Sequence, residues 1–167
     1  MYGNYRRAAL LGGLASGLLL LLYVLVRYLV GRPISAPQTY GSDLLLLASM
    51  LGVAYVYRRR LPDERVTFKE LMLLCLGLGV IASAVYGLFL WLYGQAIDTH
   101  FAQRCVEGWL MGMDTSGAED NQHASTVVAQ YTVVNWALTG AVRTAIMSIL
   151  EAFVAALVFR TEKGNLK

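Results

Sequence analysis

Charged residues are scarce in this chain, and their scarcity excludes an ordinary soluble domain. Only 15 % of the 167 residues are Asp, Glu, Lys or Arg, whereas 57 % are hydrophobic. A soluble domain has roughly a quarter of its residues charged. The net charge of +3 is small and the basic residues form no long face, so nucleic acid is not an expected partner. The hydrophobic residues lie in long runs, which a bilayer requires and a globular core does not.

Sequence motifs for catalysis or cofactor binding are also missing. The two cysteines, Cys75 and Cys105, lack metal-ligand spacing, and there is no phosphate-binding loop, dinucleotide fingerprint or nucleophile elbow. His100 and His123 have acidic neighbours, but they show no zinc-type His spacing and are typical of solvated loop residues. We therefore expect no catalytic residues, no cofactor and no metal site, and predict that the protein is not an enzyme.

Four apolar runs predict membrane-spanning helices within one membrane domain, residues 1–167. The first run follows a basic start and also resembles a signal peptide, but its length favours an uncleaved helix. The second has an uncharged centre of only about 21 Å, so a helix buried against protein is an alternative to a spanning one. The predicted spans are about residues 8–30, 41–57, 70–97 and 131–159.

Two further patterns complete the predicted fold. Thr67 to Glu70 has the S/T-x-x-E form of a capping box and predicts the start of the third span. In the segment of about residues 98–113, apolar and polar side chains fall on opposite sides of a helix. This pattern predicts an amphipathic helix that lies on the outer face of the membrane. The fold class is therefore all-α: an integral membrane four-helix bundle with an extra amphipathic interfacial helix between helices 3 and 4.

The basic residues predict the orientation of these spans. Ten of the fourteen fall on the side that holds both termini and the loop between the second and third spans, against three on the other side and one within the last span. Short loops rich in Lys and Arg stay in the cytoplasm. We expect a multi-pass protein of a bacterial inner membrane with its N-terminus and C-terminus cytoplasmic.

The middle of the chain contains four features in a fixed order. They are a basic turn, a Thr-Phe-x-Glu helix start, a third span that contains glycine, and an Ile-Asp pair at the end of that span. The residues are Arg58 to Arg60, Thr67, Phe68, Glu70, Gly77, Gly79, Ile97 and Asp98. This segment resembles the family of membrane proteins known only as DUF4199, and the order of four helices extends the resemblance over nearly the whole chain. The resemblance implies a small inner-membrane protein of Bacteroidetes-type bacteria and implies no activity.

Small residues at four-residue spacing predict close helix packing, because small side chains let helix backbones approach in lipid. In the first span this pattern includes a GxxxG, which indicates either homodimerisation or packing within one bundle. The third span carries a second set. The residues are Ala9, Gly13 and Gly17 in the first span, and Gly79, Ser83 and Gly87 in the third.

The last span carries polar residues where lipid would favour none. Asn135, Thr139 and Arg143 follow at i, i+4 spacing, and Glu151 comes eight residues later. Arg143 is placed to reach Asp43 on the second span, and Glu151 to meet the basic cluster Arg58–Arg60. A charge at the bilayer centre costs roughly 2.5–3.5 kcal/mol, so we expect both to face protein. The pattern is compatible with structural pairing or with an ion or proton path.

These observations favour a non-enzymatic inner-membrane scaffold or accessory subunit that self-associates or binds a larger membrane complex. Its expected partners are membrane lipid and either further copies of the chain or other membrane protein subunits. The alternative is a small oligomeric transporter or channel that uses the polar residues around Arg143 and Glu151.

Overall fold

The computed structural model describes residues 3–36, 39–61, 66–110 and 132–161, and this part of the chain is all-α, as the sequence predicts. His123 and the distal end of the predicted amphipathic helix lie outside the described residues. The elements are α1 (Gly3–Leu29), α2 (Tyr40–Arg59), α3 (Phe68–Leu92), a π-helix (Tyr93–Ile97), α4 (Phe101–Leu110) and α5 (Val133–Phe159).

Four of these helices are long and apolar enough to cross a membrane, which confirms four long apolar segments. Helix α2, the shortest of them, has 20 residues and therefore a length of about 30 Å, close to the thickness of a hydrocarbon core. The uncharged centre seen in the sequence is extended at both ends, since α2 begins at Tyr40 and ends at Arg59.

Short polar motifs begin two of the helices. The backbone N–H of Glu70 donates to Thr67 Oγ1 at 3.2 Å, and the Thr67 N–H donates to Glu70 Oε2 at 3.1 Å, so the predicted capping box is present. Helix α2 begins at Tyr40, where the Thr39 N–H donates to Ser42 Oγ at 2.9 Å. These bonds satisfy amides that have no partner within the helix.

Helix α3 lies between α1 and α5, with which it makes the most extensive contacts of the fold, whereas α2 packs mainly on α1 and α5. Gly13 and Gly17 of α1 face Ile81 and Val85 of α3, so these two helices run parallel. Gly79 and Gly87 of α3 face Ser148 and Ala141 of α5 in the reverse order, so α5 runs antiparallel to α3.

Helix α4 places three apolar side chains against protein. Phe101 and Cys105 are almost fully buried, and Val106 is 7 % exposed. The helix contacts the π-helix Tyr93–Ile97 and α5. The apolar side of the amphipathic pattern seen in the sequence thus packs onto the end of the helical assembly.

Candidate functional site

Helix α5 carries the polar groups that the sequence singles out, and two additional hydroxyls among them are buried. Thr144 and Ser148 are each 1 % exposed. The Thr144 hydroxyl donates to the Gly140 carbonyl at 2.8 Å, and the Ser148 hydroxyl to the Ala145 carbonyl at 2.7 Å. Since both hydroxyls bond to their own helix, neither requires a partner from another one.

The predicted polar stripe turns around the helix instead of following one face. Asn135, Thr139 and Arg143 are exposed on the surface of the single chain, whereas Glu151 is only 6 % exposed. A step of four residues rotates by about 40°, so eight residues rotate by about 80°. Arg143 and Glu151 therefore face different surroundings.

Arg143 is an exposed cation deep in a spanning helix. It is the eleventh residue of α5, about 15 Å from the N-terminal end. Within the described residues its guanidinium forms no ion pair, and the structure does not bring it to Asp43, which is half-buried in the first turn of α2. The sequence-based pairing of Arg143 with Asp43 is not what the structure shows.

Glu151, in contrast to Arg143, is a buried carboxylate. Its Oε2 atom has no hydrogen-bond partner within the described residues, and the predicted meeting with the Arg58–Arg60 cluster does not occur. Among the described residues, the charged group that acts on it electrostatically is the carboxylate of Asp43. Two acidic groups are therefore brought towards each other where the sequence suggested acid–base pairs.

The small residues of α1 pack within the chain. A Cβ atom added to Gly13 would lie 2.7 Å from Ile81 Cβ, and one added to Gly17 would lie 2.7 Å from Val85 Cβ. Ala9 is 6 % exposed and packs beside Gly77. Of the two interpretations of the GxxxG, the structure shows packing of α1 on α3.

The small residues of α3 line its contact with α5. Gly79 leaves no room for a Cβ atom beside Ser148, and Gly87 lies against Ala141. Ser83 is 6 % exposed, and its hydroxyl donates to the Val80 carbonyl at 2.9 Å. Helix α3 thus uses small residues on both of its packed sides.

A polar cluster that no sequence pattern indicates lies at the junction of α3 and α4. Asp98 is 4 % exposed, accepts a hydrogen bond from the Tyr93 hydroxyl at 2.7 Å, and forms an ion pair with Arg104. The six-residue spacing of Asp98 and Arg104 spans a helix break, so helical periodicity gives no signal for this pair. The cluster fixes α4 to the end of α3.

Burial at this junction also changes the chemistry of Cys105. Removal from water raises the pKa of the Cys105 thiol to about 12, against an ordinary value of 9.0, despite the opposing effect of the nearby Arg104 cation. The thiol therefore stays protonated at neutral pH and is a poor nucleophile.

Four helices long and apolar enough to span a bilayer define a multi-helix membrane protein. Its helix α5 carries an exposed cation, Arg143, and a buried carboxylate, Glu151. The chain belongs to the family described as Protein of unknown function (DUF4199), whose model matches residues 12–161. This confirms the resemblance seen in the sequence. No curated protein and no solved structure matches the chain.

Proposed function

We propose that this protein is a non-enzymatic inner-membrane scaffold or accessory subunit that associates through the exposed face of α5. The observation that supports the proposal is Arg143, a cation in the middle of a spanning helix with no ion-pair partner among the described residues. A lipid-facing Arg near the bilayer centre costs roughly 2.5–3.5 kcal/mol. An acidic or carbonyl oxygen from another subunit would remove that cost.

The surroundings of Arg143 fit an interface between helices. Val142 and Ile146 beside it are 50 % and 57 % exposed, and Thr139 is exposed one turn away. Apolar side chains supply packing area, and the guanidinium and hydroxyl supply hydrogen bonds that are specific to a partner. A second copy of the chain or another membrane subunit would meet the same requirements.

The membrane in which the protein lies, and its orientation there, are also part of the proposal. The distribution of Arg and Lys supports a bacterial inner-membrane protein with both termini in the cytoplasm. In this orientation α4 lies at the outer surface, where its polar side faces the headgroups or water. The four spanning helices would then form the bundle, closed by the contacts of α2 with α1 and α5.

The test is the mass of the complex in nanodiscs formed directly from the membrane. We expect the wild-type chain to migrate as an assembly larger than one copy. Arg143→Leu should release a helical monomer, whereas the control Arg59→Leu should retain the assembly, because Arg59 lies over the Tyr55 ring at the end of α2. Two differently tagged copies would co-purify if the partner is a second chain. A wild-type protein found as a lone monomer would refute the proposal.

A small oligomeric transporter or channel is the second candidate, and Glu151 favours it. A buried carboxylate with an unpartnered oxygen and a second carboxylate nearby is suited to taking up a proton or a cation. Glu151→Gln should then abolish a pH-dependent flux in proteoliposomes while assembly is retained. Wild-type proteoliposomes that show no such flux would exclude this candidate.

A further inference from the structure

A cleft of about 690 Å³ lies between α1 and α2 at the end of the helices where the basic residues cluster. Its volume is in the range of ligand-binding pockets. The walls are apolar and include Leu11, Val53 and Val56, and the helix backbones approach the cleft at Gly12 and Gly52. None of the lining residues belongs to α5, so the cleft is separate from the face proposed for association.

The mouth of the cleft is cationic. Arg7 and Arg60 line it, together with Tyr57. Along the helices Arg7 is about 7.5 Å from Gly12, and Arg60 is about 12 Å from Gly52. Charge therefore lies at one end of the cleft and apolar surface at the other, which is the distribution of a lipid molecule with its headgroup at the membrane surface.

The arginines at this mouth differ from their neighbours in sequence. Arg6 contacts the Tyr5 hydroxyl, and the Arg59 guanidinium lies over the Tyr55 ring with 5.2 Å between its central carbon and the ring centroid. The Arg7 and Arg60 side chains form no ion pair within the described residues. Both side chains are exposed and line the cleft, so an external anion can reach them.

We propose that this cleft is a binding site for one anionic phospholipid. Arg7 and Arg60 bind the phosphate as charge-assisted donors, with the Tyr57 hydroxyl beside them, and an acyl chain lies against the apolar wall near Gly52. A free phosphate would satisfy the guanidinium groups and leave the apolar wall uncovered. A zwitterionic lipid would cover the wall and bring no net negative charge.

The first test compares two double variants of equal charge. The purified full-length protein, stripped of lipid in detergent, is titrated with phosphatidylglycerol, phosphatidylcholine or inorganic phosphate, and bound molecules are counted by native mass spectrometry. Phosphatidylglycerol should bind the wild-type chain and Arg6→Gln/Arg59→Gln alike. It should bind Arg7→Gln/Arg60→Gln roughly thirtyfold more weakly, because both arginine charges that bind the headgroup are lost.

Three outcomes of this titration would overturn the proposal. Equal weakening in both double variants would indicate attraction to the basic surface as a whole. Equal binding of phosphatidylcholine would indicate ordinary annular lipid. Inorganic phosphate that displaces phosphatidylglycerol fully would indicate an anion site without a lipid.

The second test fills the cleft without changing its charge. Gly52 lines the cleft and a Cβ atom added there meets nothing within 4 Å, so we expect Gly52→Leu to fold and to extend its side chain into the cleft. The control Ala84→Leu adds bulk to an exposed position of α3. Gly52→Leu should lose phosphatidylglycerol binding with unchanged helicity, and Ala84→Leu should retain it. Full binding by Gly52→Leu would place the lipid elsewhere.

Discussion

A Cβ atom added to Gly87 would lie 2.6 Å from the Cβ of Ala141, so α3 and α5 approach each other closely at this pair. Real Cβ atoms do not come so near to each other. The contact therefore requires glycine at position 87, and the distance between the two helix axes depends on it. In lipid, such close backbone packing supplies much of the attraction between helices.

Gly87→Ala should destabilise the protein by about 1–3 kcal/mol, the usual cost of an extra methyl group in a packed interface. Thermal unfolding in detergent, followed by circular dichroism, measures the loss. Gly52→Ala is the matched control, because the same substitution there enters open space and replaces a glycine within a helix. A Gly87→Ala protein as stable as the Gly52→Ala protein would show that α3 and α5 are farther apart.

Asp98→Asn should weaken the junction of α3 and α4 by about 2–3 kcal/mol, because it leaves Arg104 without its carboxylate partner. The value is below that of a fully buried pair, since the Arg104 side chain is 26 % exposed. Tyr93→Phe removes one hydrogen bond to the same carboxylate and should cost about 1.5–2 kcal/mol. Hydrogen exchange of α4 amides measures both effects.

The control for this pair of variants is Glu107→Gln, an exposed position of α4 where Gln103 donates to the carboxylate at 3.0 Å. Its effect should stay below about 0.5 kcal/mol. Equal protection of α4 in Asp98→Asn and in Glu107→Gln would contradict the role given to the cluster.

Cys105 should react slowly with a maleimide in the folded protein. Its pKa of about 12, three units above the ordinary value of 9.0, leaves on the order of a thousandfold less thiolate at pH 8. Because the pKa is raised, the reaction rate should keep increasing as the pH rises above about 10.5, where a thiol with the ordinary pKa of 9.0 is almost fully ionised and its rate has levelled off. Mass spectrometry of a Cys75→Ala variant follows Cys105 alone, and rapid labelling at pH 8 would refute the buried position.

The proposed orientation predicts the activity of reporter fusions. Alkaline phosphatase joined after Leu110 should be active, because three spans would place it outside, and a fusion after Leu61 should be inactive. The reverse pattern would invert the topology. A cytoplasmic reporter, such as β-galactosidase, joined at the same two positions provides the complementary control.

The sequence predicted those features that depend on neighbouring residues. The four apolar segments follow from composition, and the capping box of Thr67 and Glu70 follows from hydrogen bonds within one turn. The resemblance to the DUF4199 family was recognisable for the same reason, because its features are short and local.

The direction in which each membrane helix faces could not be predicted in the same way. Lipid and the interior of the helix assembly are both apolar, so hydrophobic periodicity does not tell them apart. The sequence therefore predicted that Arg143 and Glu151 both face protein, whereas α5 buries Glu151 and leaves Arg143 exposed on the single chain. The pairing of Asp98 with Arg104 depends on how the chain bends after the π-helix, which no local pattern shows.

The position of α3 between α1 and α5 has a consequence for biosynthesis. Helix α5 follows α1, α2, α3 and α4 in the chain, and until it enters the membrane the side of α3 that holds Gly79 and Gly87 lacks the contact with α5. The α1–α3 pair would already be complete by then, since both helices precede it in the chain. A ribosome-bound chain that ends before residue 132 should therefore hold a half-formed assembly, exposed to membrane quality control until the 27-residue helix α5 enters the membrane.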